Sequence, residues 1–399
     1  VNVVDKTTLA SLGTSSHTVN GLAITARQYG NPATPVVDDY ETTATSGAGG
    51  SKVGIAGSLA LNLINATTTA HTLGNVNAGA GASSITADQR ITAKATAAPS
   101  GNGANGGKVG IGASVALNLL TDTTTAELPD GVTFSNGGGL TVSANGVLDT
   151  TTEAEAGAGG GIAVDAVVAL AILDQTTTAR IGTGTGINTA GGVEISATSS
   201  GENEASAKGD VKSGKVGVGA AAAVILGGGT KTGDLKNTSV TSAELARNVT
   251  AASLTISAES DRSYTADATA TAGGGKESTE TASGGQSTSG DTLQKTENSQ
   301  QGTQAPPQGG SSKISVAAAV GVAAAQDVVS ATLDAVTVHV TGDLKVDATN
   351  STGMATIGSG AATNPQSKVG VGIGVALGII NNTTTATIAD GAVIANSGS

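Results

Sequence analysis

Few residues in this sequence have the type and spacing to do chemistry. The heptapeptide Gly209 to Lys215 (GDVKSGK) has the spacing of a phosphate-binding loop, in which backbone N–H groups and a lysine hold phosphates. Val216 follows where Ser or Thr would stand, and the alternation after it predicts a strand where a helix should begin. The Gly-x-Gly pairs of the KVGIG segments also lack a following helix, so they read as packing glycines and not as a dinucleotide fingerprint. His17, His71 and His339 occupy unrelated positions with no carboxylate at fixed spacing, and no catalytic or metal set is assigned to them. Asp130 and Asp390 each precede Gly at one recurring turn. Asp-Gly is first a turn signal; Ca²⁺ at these two carboxylates is the alternative, against which the G-G-x-G-x-D pattern of calcium-binding rolls is absent. No other cofactor is implied.

Polysaccharide cleavage would need a carboxylate cluster with basic or aromatic partners. Asp149, Glu153 and Glu155 come nearest, on a Thr-rich segment without such partners. Lys208-Gly209-Asp210 has the form of a cell-attachment tripeptide, a match short enough to arise by chance. The tetrads Thr67 to Ala70, Thr123 to Ala126, Thr176 to Ala179 and Thr383 to Ala386 are more distinctive. Stacked in a repeat protein, Thr67, Thr69, Thr123, Thr125, Thr176, Thr178, Thr383 and Thr385 would form ranks. Such ranks supply β-propensity and hydroxyl bonding between layers, or a flat array that orders water as an ice-binding face would. Two of the six copies lack the tetrad, at Gly228 to Lys231 and Asp327 to Ser330.

The elements that must carry these residues have a thin core. The chain has 399 residues but 3 Tyr, 1 Phe, 1 Met and no Trp, against 60 Gly. Small side chains contribute little at ~25 cal/mol per Å² buried, so stability has to come from many similar units in a row. The net charge of -12 and the lack of a Lys/Arg stripe make nucleic acid an unlikely partner class. Cysteine is absent, which excludes disulfides and thiolate metal sites. Val1 to Leu9 contains no signal peptide, and no hydrophobic run approaches the ~18 residues of a spanning helix. A repeat cut at both ends reads as a segment whose export and anchoring signals lie elsewhere.

The repeat is legible directly. GKVGIGASVALNLLTDTTTAEL at Gly107 to Leu128 matches segments starting at Ser51, Gly161 and Gln366, with weaker copies at Lys215 and Lys313. The first three Thr tetrads begin 56 and 53 residues apart, and Lys313 and Lys368 are 55 apart. Lys215 and Lys313 are 98 apart, an excess explained by a Gly/Ser/Thr/Gln-rich insertion that reads as a disordered loop. The organisation is a partial leading repeat over 1–50, repeats over 51–107, 108–160 and 161–214, a fourth over 215–312 containing the insertion 273–312, a fifth over 313–367, and a partial sixth over 368–399. Val109, Ile111, Ala113, Val115, Leu117 and Leu119 alternate with small residues, which predicts a long strand. Turns at Thr121-Asp122, Pro129 to Gly131 and Asn136 to Gly139 divide each unit into five short strands.

The expected fold is all-β: a parallel β-helix or β-solenoid of about 54-residue repeats, with roughly two coils per repeat and a core of Val, Ile and Leu ladders. A transmembrane barrel would need aromatic girdles that four aromatics cannot build, and immunoglobulin-like sandwiches need ~100 residues per unit. The opposite, small-residue face of the long strand (Gly54, Ala56, Ser58, Ala60; Gly370, Gly372, Gly374, Ala376) should be covered at close approach by a second layer. That layer is a strand of the same chain or a neighbouring fibre, which allows lateral self-association through this Gly/Ala/Ser face. Pro99 to Gly107 and Gly273 to Ser312 are expected as connections along one edge, where a ligand would bind.

The pattern K-V-G-x-G-x-x-V-A-L-N-x-x-x-x-T-T-T-A, followed by D-G-V and G-G-L-T-V-S-A, resembles the repeats of giant filamentous-haemagglutinin-like and leukotoxin-like bacterial adhesins, over nearly the whole chain. The resemblance implies a right-handed β-helical passenger at the cell surface, acting in attachment, aggregation or biofilm formation, and not an enzyme. Its partners would be adjacent repeats of the same long chain and a host or neighbouring-cell surface, glycan or protein. The other readings are a self-assembling extracellular fibre or sheath subunit, a polysaccharide-processing enzyme and an ice-binding solenoid.

Overall fold

The computed structural model describes residues 1–28, 37–135, 137–228, 239–273, 314–363 and 368–396. Among them the protein is all-β, every strand pairing is parallel, and no helix occurs. The insertion 273–312, apart from Gly273, lies outside the described residues, as do Asn136, Lys313 and the degenerate tetrad at 228–231 apart from Gly228.

One repeat passes along a first wall as the strand Val109–Leu128, crosses a short side at Phe134–Ser135, and returns along a second wall that begins the strand Gly139–Ile181. That strand then continues into the first wall of the next repeat, its register shifting between Gly160 and Ile162. Gly160 has φ 144°, and a Cβ there would stand 2.1 Å from the Gly106 carbonyl oxygen, so this corner excludes a side chain. Equivalent residues then stack on one another: Val53 on Val109, Ile162, Val216, Ile314 and Val369.

Each repeat therefore adds one layer and not two coils, and its five expected strands are three. Thr121-Asp122 does not interrupt Val109–Leu128, because neither residue imposes the positive φ or missing N–H that ends a strand. The Pro129 to Gly131 turn is real, with Gly131 at φ 75°. Pro99 to Gly106, expected as a connection, belongs to the strand Ala82–Gly106. It bulges there: Ala97 pairs with Ala154 but Ala104 with Ala158, and Gly101 and Gly103 take φ of 61° and 71°.

The walls nearly touch. A Cβ on Gly110 would lie 2.2 Å from the Gly159 carbonyl oxygen, and one on Gly374 would lie 2.2 Å from that of Gly358. Only small or slim side chains fit this gap, so the inner side of the first wall is Gly110, Gly112, Ser114, Ala116 and Asn118. The second wall faces it with alanines such as Ala95, Ala154, Ala205 and Ala266, all fully buried. The small-residue face is thus covered by the returning wall of the same chain. This corrects the expectation of lateral self-association through Gly, Ala and Ser: that side faces the other wall and not outward, and the exposure of Gly370, Gly372, Gly374 and Ala376 belongs to the last layer, at the end of the stack.

The aliphatic face is correspondingly displaced. Val109, Ile111, Val115, Leu117 and Leu119 point outward, whereas the expected core ran through them. Aliphatic packing inside is strongest near the short side, where Ile85, Leu128, Phe134, Leu140, Ile181 and Ile195 form a second cluster.

Candidate functional surfaces

The strand alternation splits each Thr tetrad. Its middle residue points inward, Thr68, Thr124 and Thr177 being fully buried, and Thr68 Oγ1 reaches Gln28 Oε1 at 3.0 Å on the opposite wall. The flanking residues point outward and stack, Thr67 on Thr123 on Thr176 and Thr69 on Thr125 on Thr178. The next layers place Val240 and Ser242, then Val328 and Ser330, before Thr383 and Thr385 resume. The unbroken double rank is therefore three layers deep. Beside it runs a charged rank in which Arg180 Nη1 bonds Glu127 Oε1 at 2.7 Å and Arg180 Nε lies 3.5 Å from Glu244 Oε2.

Asp130 closes a turn against the next layer. Its Oδ1 accepts the Thr183 N–H at 2.6 Å, the Thr183 hydroxyl at 2.9 Å and Arg180 Nη2 at 2.8 Å. The Thr183 bonds, with Arg180 behind them, hold its pKa below the ordinary carboxylate value. A Ca²⁺ ion would have to compete with these donors. Asp390 sits exposed in the corresponding turn of the last layer, where Gly391 has φ 91°. Among the described residues no group of three or more His, Asp and Glu converges on one point, and the three histidines lie apart on separate strands.

On the outer side of the second wall, Asp149 accepts the Glu202 N–H at 2.9 Å and Glu153 lies 3.3 Å from Lys94 Nζ. Burial raises the Asp149 pKa. Asp210 of the tripeptide accepts the Thr271 hydroxyl at 2.8 Å within the long strand Val193–Gly227, a flat ladder and not a protruding loop. The same strand runs through Gly209 to Lys215, so no phosphate-cradling turn forms.

Five buried ionic groups make contacts that the sequence reading did not foresee. Arg262 Nη1 and Asp327 Oδ1 pair at 2.6 Å across the gap with side chains 2% and 1% exposed, and Arg262 Nη2 also donates to Ser199 Oγ. Burial raises the pKa of Asp122 to about 8, opposed by the Gln175 amide that donates to it at 3.1 Å. Asp165 is likewise raised to about 8 by burial, against the Ala220 N–H. Arg247 donates to the carbonyls of Pro129, Val132, Gly182 and Thr183, and desolvation lowers its pKa to about 10. These groups join layers or walls, and none opens to solvent as a reacting group must. Their signal was parity: Asp122 and Asp165 share the inward phase of Gly110 and Ala163.

The surface that the sequence assigned to the core is the largest feature. Six outward positions per layer, those of Val109 to Leu119, carry only Val, Ile, Leu, Ala or Gly through six layers. Geometry and chemistry together define an all-β repeat stack with one polar and one aliphatic outer wall. No protein-family profile, curated protein or solved structure matches the chain.

Proposed function

We propose that the stacked walls form a parallel β-solenoid and that the chain is a structural shaft segment of a secreted or surface-anchored bacterial adhesin, serving attachment, aggregation or biofilm formation. The observation that carries this reading is the layer-by-layer register from Val53 to Val369, in which one repeat is one layer. Such a stack gains length and stability together, each layer contributing through its contacts with its neighbours. The polar second wall, rich in Ser, Thr and acidic residues, suits the outside of an extracellular rod. The convergence of acid, base and subsite that an enzyme needs has no counterpart in the dispersed, ladder-bonded carboxylates described above, and neither nucleic acid nor a cofactor enters this reading.

The resemblance to filamentous adhesin repeats supports the same role, with a host or neighbouring-cell glycan or protein as the distal partner. Beads coated with the purified chain, and beads coated with the parent protein, test it. The expected result is attachment to cells or clumping by the parent, with the segment alone acting as an inert spacer or a self-associating one. Glycan cleavage by the segment, or inhibition of ice growth without any attachment by the parent, would overturn it. The second reading, a self-assembling fibre or sheath subunit, is favoured by the aliphatic outer wall.

A further inference from the structure

We infer that the aliphatic outer side of the first wall is a self-association surface that pairs face to face with the same surface of a second copy of this chain. The side chains concerned form columns down the stack, such as Leu61, Leu117, Leu170, Val224, Val322 and Leu377. Inside the stack these side chains are half-buried by the layers above and below, with Ile111 at 39% and Ile162 and Ile314 at 42% the more exposed of the outward positions, and exposure reaches 40–52% for Val369 to Ile379 in the last layer, which has a neighbour on one side alone.

Size decides the occupant. Six columns at about 6.6 Å and six layers at about 4.8 Å span on the order of 1,000 Å². That exceeds the ~300–600 Å² of the largest apolar patch on a typical monomer. Two such faces in contact would bury roughly 2,000 Å² in total, the range of stable and obligate dimers. The face is flat and built from β-branched and Leu side chains at the pitch of a sheet, so a copy of itself matches it at the ~10 Å spacing of packed sheets.

Charge points the same way. The aliphatic zone carries no charged residue, and exposed Lys52, Lys108, Lys215 and Lys368 flank one end of it with the Thr ranks at the other. An apolar centre with a polar rim is the anatomy of an interface. The chain's net charge is -12, and on this wall the outward acids lie beyond the aliphatic columns, Asp174 next to the Thr ranks and Glu127 and Glu244 around Arg180. Asp149, Glu153, Glu194 and Glu259 face outward on the far wall, behind two sheets and about a Debye length or more away. Two copies can therefore meet on this side without bringing their acidic walls together. A lipid surface is the weaker match, because the chain has four aromatics in all and interfacial anchoring draws on Trp and Tyr. The insertion within 274–313 has Leu293 as its one large aliphatic residue and cannot supply an apolar cover.

Sedimentation equilibrium of the 399-residue chain is expected to give twice the 37.8 kDa of one copy. Leu170→Asp, at the centre of the face, should return it to one copy with an unchanged β-sheet circular dichroism spectrum. Ser196→Asp, on the outer side of the second wall, should leave the dimer intact. The chain has no cysteine, so Ala166→Cys and Ser196→Cys each provide a single thiol. A short bismaleimide should cross-link the first to a dimer and leave the second largely monomeric. A wild-type monomer, or an oligomer that Leu170→Asp leaves unchanged because the stack ends associate, overturns the inference. So does a monomer that co-sediments with phosphatidylcholine vesicles and loses that binding in Leu170→Asp. None of these readouts measures attachment, so the adhesin reading stands or falls separately.

Discussion

The two walls of each layer are built from the same alternating strands yet sort their residues in opposite ways. The second wall follows the familiar order, with Leu140, Val142 and Ala144 inside and Thr141, Ser143 and Asn145 outside. The first wall inverts it, burying Gly110, Ser114, Asn118 and Asp122 and turning Ile111, Val115 and Leu117 outward. The inversion shows that side-chain volume, and not polarity, chooses the inner side where two backbones approach this closely. A buried polar group is tolerated when it is hydrogen-bonded, and Asn118 is, donating to the Thr151 carbonyl at 2.9 Å and to Thr152 Oγ1 at 2.8 Å. Larger aliphatic side chains enter this side further along the strand, where Leu120 is buried and where Ile225 takes the Asn118 column two layers on.

The inversion is broken most severely by pH. Asp122 and Asp165 sit inside the inverted wall with pKa values near 8, above their unfolded values. The folded state therefore holds protons that the unfolded state has released, and stability declines as pH rises from about 4 to 8. Charged and titratable neighbours shape the two sites: Arg262 and Asp174 near Asp122, Asp210 near Asp165. The melting temperature should fall between pH 5 and pH 8, by an amount equivalent to several kcal/mol. The double variant Asp122→Asn/Asp165→Asn should flatten that slope and melt higher at pH 8. A wild-type profile flat over this range would mean that the inner side of the first wall is wetter than its geometry implies.

Next in size is the pair that ties the inverted wall to the ordinary one. Removing one partner strands a charge in the gap, so Arg262→Met should cost about 3–5 kcal/mol in urea unfolding, while Arg262→Met/Asp327→Leu should recover much of the loss. Equal destabilisation by the single and double variants would show that the pair fills space and does not hold the walls by charge.

A third comparison sets the smallest side chain against one of the larger ones. Gly110→Val places new atoms against the Gly159 and Ala104 carbonyls, whose oxygens a Cβ would already approach to 2.2 and 2.6 Å. It should cost about 3 kcal/mol or more, by the logic of overpacking. Leu117→Ala, on the outer side, should cost less than that, about 1–2 kcal/mol in the dissociated chain, because its side chain is half-buried between layers and its loss leaves no enclosed cavity. The reverse order in thermal melts would restore the aliphatic ladder to the role of core.

How much of this was legible follows from the same two residues. The period-2 alternation located the strand and separated Gly110 from Leu117, and the tetrad spacing located the repeat. Nothing in a single strand says which side is inside, because that depends on the distance to a wall returning some forty residues later. The habit of placing Leu inside filled that gap wrongly, although the density of glycines on the other side already pointed to close approach. The layer count failed for a related reason. Thr121-Asp122 looked like a turn by composition, but Asp122 is an inward residue with a fixed partner in Gln175. The Thr ranks were legible because stacking follows from repetition alone. The Arg262–Asp327 pair was not, since it joins positions 65 residues apart on different walls.

The smallest expected effect separates the two roles inside one tetrad. Thr124 is fully buried and within 3.4 Å of Gln89 Oε1, whereas Thr125 stands one residue further on and points outward. Thr124→Val keeps the shape and removes the hydroxyl, leaving Gln89 facing an apolar group. It should lose about 1 kcal/mol, the usual worth of such a bond. Thr125→Val keeps a β-branched residue on an exposed strand position and should change stability by less than about 0.5 kcal/mol. Because Leu9, which has no hydroxyl, already stacks in that column on Thr69, the outward hydroxyl is not needed for stacking, and any larger effect at Thr125 would have to come from a partner bound on the outside. The paired melts therefore do more than rank two threonines: a loss confined to Thr124 ties the tetrad to the narrow gap between the walls, and leaves its outward ranks free for whatever the surface meets.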